Sequence, residues 1–296
     1  MRHLIFDTDI GIDCDDVAAL SFLLEYESVG KCIIDAITVS TTRVGATSAV
    51  KALLAEYNKE NIPVGRRFGM PLECDKTNVY ASAMMEEYGN KESTESAVKL
   101  LRRILSTNKT MTTIVAVGPL SNVAELLKSQ PDEYSELDGI TLVKEKVDEL
   151  YVMGGNFVEN TPDFDGEFNI KMDINAARYV AEMCPKDILF VPFECGALVY
   201  TNTPLKNTPL SFAMRAQAEY YKKDPDNFKR SSWDPVTCFC ALENFTDYFY
   251  FSKKVRVEID DKGRTLPYVD ENGNARYLSC FAGYEEVAKH INCLFE

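Results

Sequence analysis

Five aspartates, Asp7, Asp9, Asp13, Asp15 and Asp16, fall within ten residues near the start of this 296-residue chain. So many carboxylates on one turn repel one another unless a cation sits among them, and hard oxygen donors of this kind suit Ca²⁺ or Mg²⁺. The plainer alternative, a solvated turn capping a helix, needs only one of them, Asp13 or Asp15 being a suitable N-cap. Two further segments carry groups able to do chemistry. The run Asn160-Thr161-Pro162-Asp163-Phe164-Asp165-Gly166-Glu167-Phe168-Asn169-Ile170 mixes amides, carboxylates and rings, a set suited to a polyhydroxylated ligand. A polar surface loop has the same composition. In Ser231-Ser232-Trp233-Asp234-Pro235, the aspartate before proline reads by itself as a helix cap, with Trp233 as core.

Regular elements must hold these groups. The acidic turn follows the apolar run Leu4-Ile5-Phe6 and precedes residues 17–24, which are apolar at helical spacing, so the order is strand, acidic turn, helix. Strand-like runs at 33–39, 62–64, 112–117, 150–153 and 187–191 alternate with helix-like segments at 45–57, 93–105, 120–127 and 173–183. This alternation predicts an α/β fold with a mostly parallel central sheet covered by helices, a Rossmann-like core. Beyond residue 200 the pattern predicts helices at 209–221 and 233–242, a C-terminal antiparallel ribbon over 254–278 and a closing helix over 281–295. Residues 66–90 lack clear periodicity and read as a loop near the site. Residues 1–296 are expected to form a single domain. Ligands of such sheets bind at the carboxyl ends of the strands. The acidic turn, Val117-Gly118 and Met153-Gly154-Gly155 all fall there.

Composition narrows the function classes. A net charge of −14 argues against nucleic acid or an anionic membrane as partner. No apolar stretch approaches bilayer length, and Asp7 comes too early for a signal peptide. Two histidines, His3 and His290, argue against zinc, and the odd count of nine cysteines fits a reducing, cytoplasmic location.

In order and spacing, Asp7-Thr8-Asp9-Ile10-Gly11 with Asp15-Asp16, Val152-Met153-Gly154-Gly155, Glu167-Phe168-Asn169 and Asp234-Pro235 resemble the inosine-uridine preferring nucleoside hydrolases, from the first strand to about residue 245. The resemblance implies a Ca²⁺-dependent N-ribohydrolase acting on a ribonucleoside or related N-riboside, of the kind that serves purine or pyrimidine salvage. It implies side-chain calcium ligands at Asp9, Asp16 and Asp234, a main-chain ligand at the Val117 carbonyl, and Asp7 supporting them from behind. Asp15, Glu167, Asn169 and, across a loop one residue longer, Asn160 match the residues that hold the sugar, with Trp233 and Asp234 beside the substrate. In the implied mechanism Ca²⁺ acidifies a water, Asp9 takes its proton, and the water attacks the anomeric carbon. A homodimer or homotetramer is the assembly to expect.

The departures define what this chain has changed. Asp13 and Cys14 are additions before the final Asp-Asp pair. Trp233 stands where the family's best-known members place a histidine acid, and indole cannot protonate a leaving base. The family's asparagine after the second strand is missing near Thr42 and Arg43, and its histidine-glycine pair is missing from 74–90. Two other readings stay open: a haloacid dehalogenase-type phosphatase, whose signature is also a strand ending in Asp-x-Asp, and a metal-dependent ribose- or nucleoside-binding protein without turnover.

Overall fold

The computed structural model describes residues 1–158, 165–243, 245–281 and 283–295. Its strands are β1 (Arg2–Thr8), β2 (Cys32–Val39), β3 (Val64–Arg66), β4 (Thr112–Ala116), β5 (Val147–Met153), β6 (Ile188–Val191), β7 (Tyr200–Asn202), β8 (Lys229–Ser231), β9 (Phe249–Phe251), β10 (Val255–Ile259), β11 (Thr265–Val269) and β12 (Ala275–Phe281). Ten of them form one sheet, ordered β11-β10-β12-β6-β5-β4-β1-β2-β3, with β9 against β12. From β3 to β6 every pairing is parallel. The strand order reverses between β1 and β4, which opens a crevice at their carboxyl ends.

The strands read as apolar runs because both faces are covered. Along β1, Leu4 and Phe6 join one buried cluster and Ile5 the other, as a two-residue period requires. The first cluster takes in residues of helices Asp15–Ser28, Ala46–Glu56, Pro209–Tyr220 and Trp233–Leu242. The second takes in residues of Ala97–Thr107, Ser121–Lys128, Gly139–Lys146 and Ile174–Met183. Asp173 caps the last of these, accepting from the Ala176 amide at 3.1 Å. No helix of the described residues is long and apolar enough to cross a membrane.

The structure refines three expectations. The C-terminal ribbon is not a separate layer: Ala275, Arg276 and Tyr277 run parallel beside Ile188, Leu189 and Phe190, so β10–β12 extend the main sheet. The aperiodic stretch after β3 contains a short helix, Ala81–Tyr88. Gly139–Lys146 is a further short helix, its last three residues charged, that periodicity did not announce.

Candidate functional site

The acidic turn leaves β1 at the reversal point. The Val117 amide donates to the Asp7 carbonyl at 2.8 Å, which ties the end of β4 to the end of β1. The next residue must be small. A Cβ at Gly118 would lie 2.8 Å from the Asp9 amide nitrogen and 2.9 Å from the Asp9 Cβ. Gly118→Ala is therefore expected to push Asp9 aside and to lower turnover roughly tenfold, since small displacements of a reacting group weaken catalysis steeply. Turnover and melting temperature measured together check this; unchanged turnover would mean that Asp9 tolerates the shift.

Two buried helices begin at the same place. Asp15 and Asp16 open helix Asp15–Ser28, whose N-cap is Cys14, and Asp234 lies in the first turn of Trp233–Leu242, whose N-cap is Ser232. None of these aspartates is the cap itself. Each sits where the positive end of a helix dipole meets it. The Asp234 amide donates to Asp15 Oδ2 at 3.3 Å, and the Thr8 hydroxyl donates to Asp16. Carboxylate oxygens of Asp15, Asp16 and Asp234 all lie within 4.8 Å of one another. Burial first, and then repulsion from neighbouring aspartates of the cluster and of the acidic turn, holds all three well above the usual carboxylate range. All three residues are buried, and among the described residues no lysine or arginine forms an ion pair with them. That set of hard oxygen donors, only partly offset by the charges of Arg230 and Arg43, fits a divalent cation with oxygen ligands.

The other aspartates of the turn are handled differently. Asp7 accepts from Thr38 Oγ1 at 2.5 Å and Asn122 Nδ2 at 2.7 Å, while its Oδ2 is buried without a partner. Burial pushes its carboxyl up to about 7. Asp13, at the cavity wall, is engaged in a forked pair with Arg230 and accepts a 3.2 Å bond from Gln217 Nε2. Asp9 faces the cavity. Burial raises it to about 6, against the opposing pull of Arg43.

Asp9, Asp15, Asp16, Val117, Glu167, Asn169, Trp233 and Asp234 line one cavity of about 270 Å³. The structure thus brings these eight of the residues singled out in the sequence together, with Asp7 outside the lining, and two further points differ from the expectation. The tightest set of carboxylate oxygens contains Asp15, where the family resemblance implies Asp9. The Val117 carbonyl accepts from Asn169 Nδ2 at 2.8 Å, so one of its lone pairs is engaged. Glu167 caps the short helix Phe168–Met172, accepting from the amides of Gly155, Asn169 and Ile170 at 3.2, 3.0 and 3.2 Å. Burial nevertheless raises it to about 7. Asn160 lies outside the described residues.

Three residues that hold or line the site were not singled out as site residues from the sequence. Arg43 is 3% exposed and donates to the carbonyls of Asp9, Ile10, Cys74 and Thr77. Tyr80 accepts from the Gly11 amide at 2.9 Å and donates to the Asp13 carbonyl at 2.6 Å. Together they lash the aperiodic stretch to the acidic turn. Arg230 also lines the cavity, beside Tyr221, Phe193 and Trp233. No local pattern marks any of the three; their partners are distant in sequence.

The profile of the inosine-uridine preferring nucleoside hydrolases matches residues 4–290. The chain belongs to that family. It is 28% identical over 186 residues to the non-specific ribonucleoside hydrolase RihC of Salmonella paratyphi A, a match covering 60% of this chain and 57% of the relative. The chain thus matches little more than half the length of that curated relative. Among solved structures, it resembles the purine-preferring ribonucleoside hydrolase of Gardnerella vaginalis with a TM-score of 0.74 at 15% identity, covering 99% of each chain. It resembles a plant nucleoside hydrolase, PpNRh1, with a TM-score of 0.73 at 23% identity, covering 99% of this chain and 98% of the other. At these identities the structural likeness establishes the nucleoside hydrolase fold.

Proposed function

We propose that this chain hydrolyses the N-glycosidic bond of ribonucleosides to free base and ribose, with Ca²⁺ as its cofactor. The observation that carries the reading is the convergence of Asp9, Asp15, Asp16, Asp234, Glu167 and Asn169 on one cavity at the strand-order reversal. Asp16 and Asp234 would hold the cation, with Asp9, Asp15 and the Val117 carbonyl around it. When bound, Ca²⁺ supplies charge that acidifies a neighbouring water and orders the sugar hydroxyls. Asp9, which faces the cavity beside the would-be cation site, accepts the proton of that water. Water oxygen bonds to the anomeric carbon as the carbon–nitrogen bond breaks. Asp15, Glu167 and Asn169 orient the ribose, and the buried carboxylates stabilise the positive charge developing on it. Assembly as a homodimer or homotetramer belongs to the same proposal and is read by light scattering.

The test is a screen of purine and pyrimidine nucleosides for release of base and ribose, with calcium and with chelator. Calcium-dependent release supports the proposal, and absence of release from every nucleoside contradicts it. Trp233, in place of an acid, favours a second reading in which nucleosides bind without turnover, and the same screen separates the two when binding is measured alongside.

Trp233 is a fixed wall. Its Nε1 donates to the Phe193 carbonyl at 2.8 Å, and the two rings stack with centroids 5.3 Å apart and planes 26° apart. An aromatic face beside a base contributes about 1–3 kcal/mol of binding per stack. Trp233→Ala is expected to raise KM about 5- to 100-fold, with Trp233→Phe retaining most of the affinity. If Trp233→Ala instead lowers the melting temperature and leaves KM alone, the ring is packing and not a pocket wall.

A further inference from the structure

Two departures from the family motif, the added Asp13 and the loss of the acid before Asp234, meet at one side chain. Asp13 holds Arg230 through Nε, at 2.9 and 3.0 Å, and through Nη2. The guanidinium centre lies 5.0 Å from the Trp233 ring and 5.6 Å from the Tyr221 ring. All four residues line the cavity that contains Asp9 and Asp234. Arg230 Nη1 makes no hydrogen bond to the described residues, and it is not among the buried polar atoms sealed from solvent. The carboxylate that fixes the fork is itself fixed: Gln217 bonds to it, and Tyr80 bonds to the Asp13 carbonyl. Burial works against the charge of Arg230, but the bonds and charge of Asp13 outweigh it and raise its hold on its proton.

We propose that Arg230 is the catalytic group that activates the leaving base, and that Asp13 is its positioning residue. The inference rests on the hydrolase reading given above. As the carbon–nitrogen bond breaks, its electron pair passes to the base and spreads to ring nitrogens and carbonyl oxygens at the base edge. Arg230 donates a charge-assisted hydrogen bond to one of these atoms through Nη1. It gives up no proton, because a guanidinium is not an acid at these pH values. The departing base takes a proton from solvent. Attacking water supplies the oxygen on the anomeric carbon, and its proton goes to Asp9, which returns it to solvent, so the sum is nucleoside plus water to ribose plus base. Trp233 then serves both partners, its ring beside the base and its face against the cation. A structural tie between β8 and the acidic turn is the competing account of the Arg230–Asp13 pair.

The experiment compares wild type, Arg230→Gln, Arg230→Lys and Asp13→Asn on two substrates. One is the best nucleoside from the screen. The other is 4-nitrophenyl β-D-riboside, whose leaving group departs as a stable anion without help. For Arg230→Gln, kcat on the nucleoside should fall about 10²–10³-fold, the range for loss of one donor to developing charge. Its loss on the aryl riboside should be at least about tenfold smaller. Asp13→Asn should show a weaker version of the same split, and Arg230→Lys an intermediate one, with melting temperatures recorded for each. Equal losses on the two substrates, or lowered melting temperature without the split, overturn the role of Arg230 and leave the hydrolase reading standing. Wild type that cleaves neither substrate overturns the hydrolase reading, and the role of Arg230 falls with it.

Discussion

Replacing Asp9 with asparagine is expected to lower kcat by about 10²–10⁴-fold, the range for loss of a general base. The change keeps an oxygen and the side-chain volume in a cavity where a Cβ at Gly118 would already collide with Asp9. What it removes is the proton acceptor. Calcium affinity should survive in part, because Asp15, Asp16 and Asp234 keep their oxygens together without Asp9. Single-turnover kinetics beside calcium titration separates the two effects. Unchanged turnover would remove Asp9 from the mechanism. Complete loss of calcium binding would make it chiefly a ligand.

Removing calcium should abolish turnover and also destabilise the fold, by an amount that grows with pH. Burial pushes Asp7 from 3.8 to about 7, Asp9 from 3.8 to about 6 and Glu167 from 4.5 to about 7, and raises Asp15, Asp16 and Asp234 as well. Raised carboxyls keep protons that an unfolded chain releases near pH 4. Between about pH 4 and pH 7 the folded, cation-free protein therefore binds more protons than the unfolded one, and its stability falls as pH rises. Calcium takes the place of those protons, so it binds more tightly at higher pH and releases protons as it does so. At a free concentration of about 100 times Kd it adds about 2.7 kcal/mol of stability. Melting temperatures at pH 5 and pH 7.5, with calcium and with chelator, should show a larger calcium effect at pH 7.5. An equal effect at both values would mean that the buried carboxyls are not the binding groups.

The central sheet was legible because strands buried on both faces must be apolar runs, and Leu4-Ile5-Phe6 and residues 112–117 are such runs. The parallel seam between β12 and β6 was not legible, since its pairing joins residues nearly ninety positions apart and leaves no mark on either local pattern. In the site, the charge density of the acidic turn announced itself. Asp234 did not: in isolation it reads as a cap, and only its order with the other motifs, through the family resemblance, placed it with Asp9 and Asp16. Arg230 stayed hidden because its partner Asp13 is 217 residues away, and Arg43 because it binds only main-chain carbonyls, for which side-chain type gives no clue.

The most direct measurement follows the oxygen of the attacking water. With calcium present and the best nucleoside from the screen, hydrolysis in ¹⁸O-labelled water should place the label on the anomeric carbon of ribose and none in the released base. The reaction should stop on chelation and restart when calcium is returned. Label found in the base, base release that needs phosphate and yields a sugar phosphate, or turnover unaffected by chelator would contradict the account.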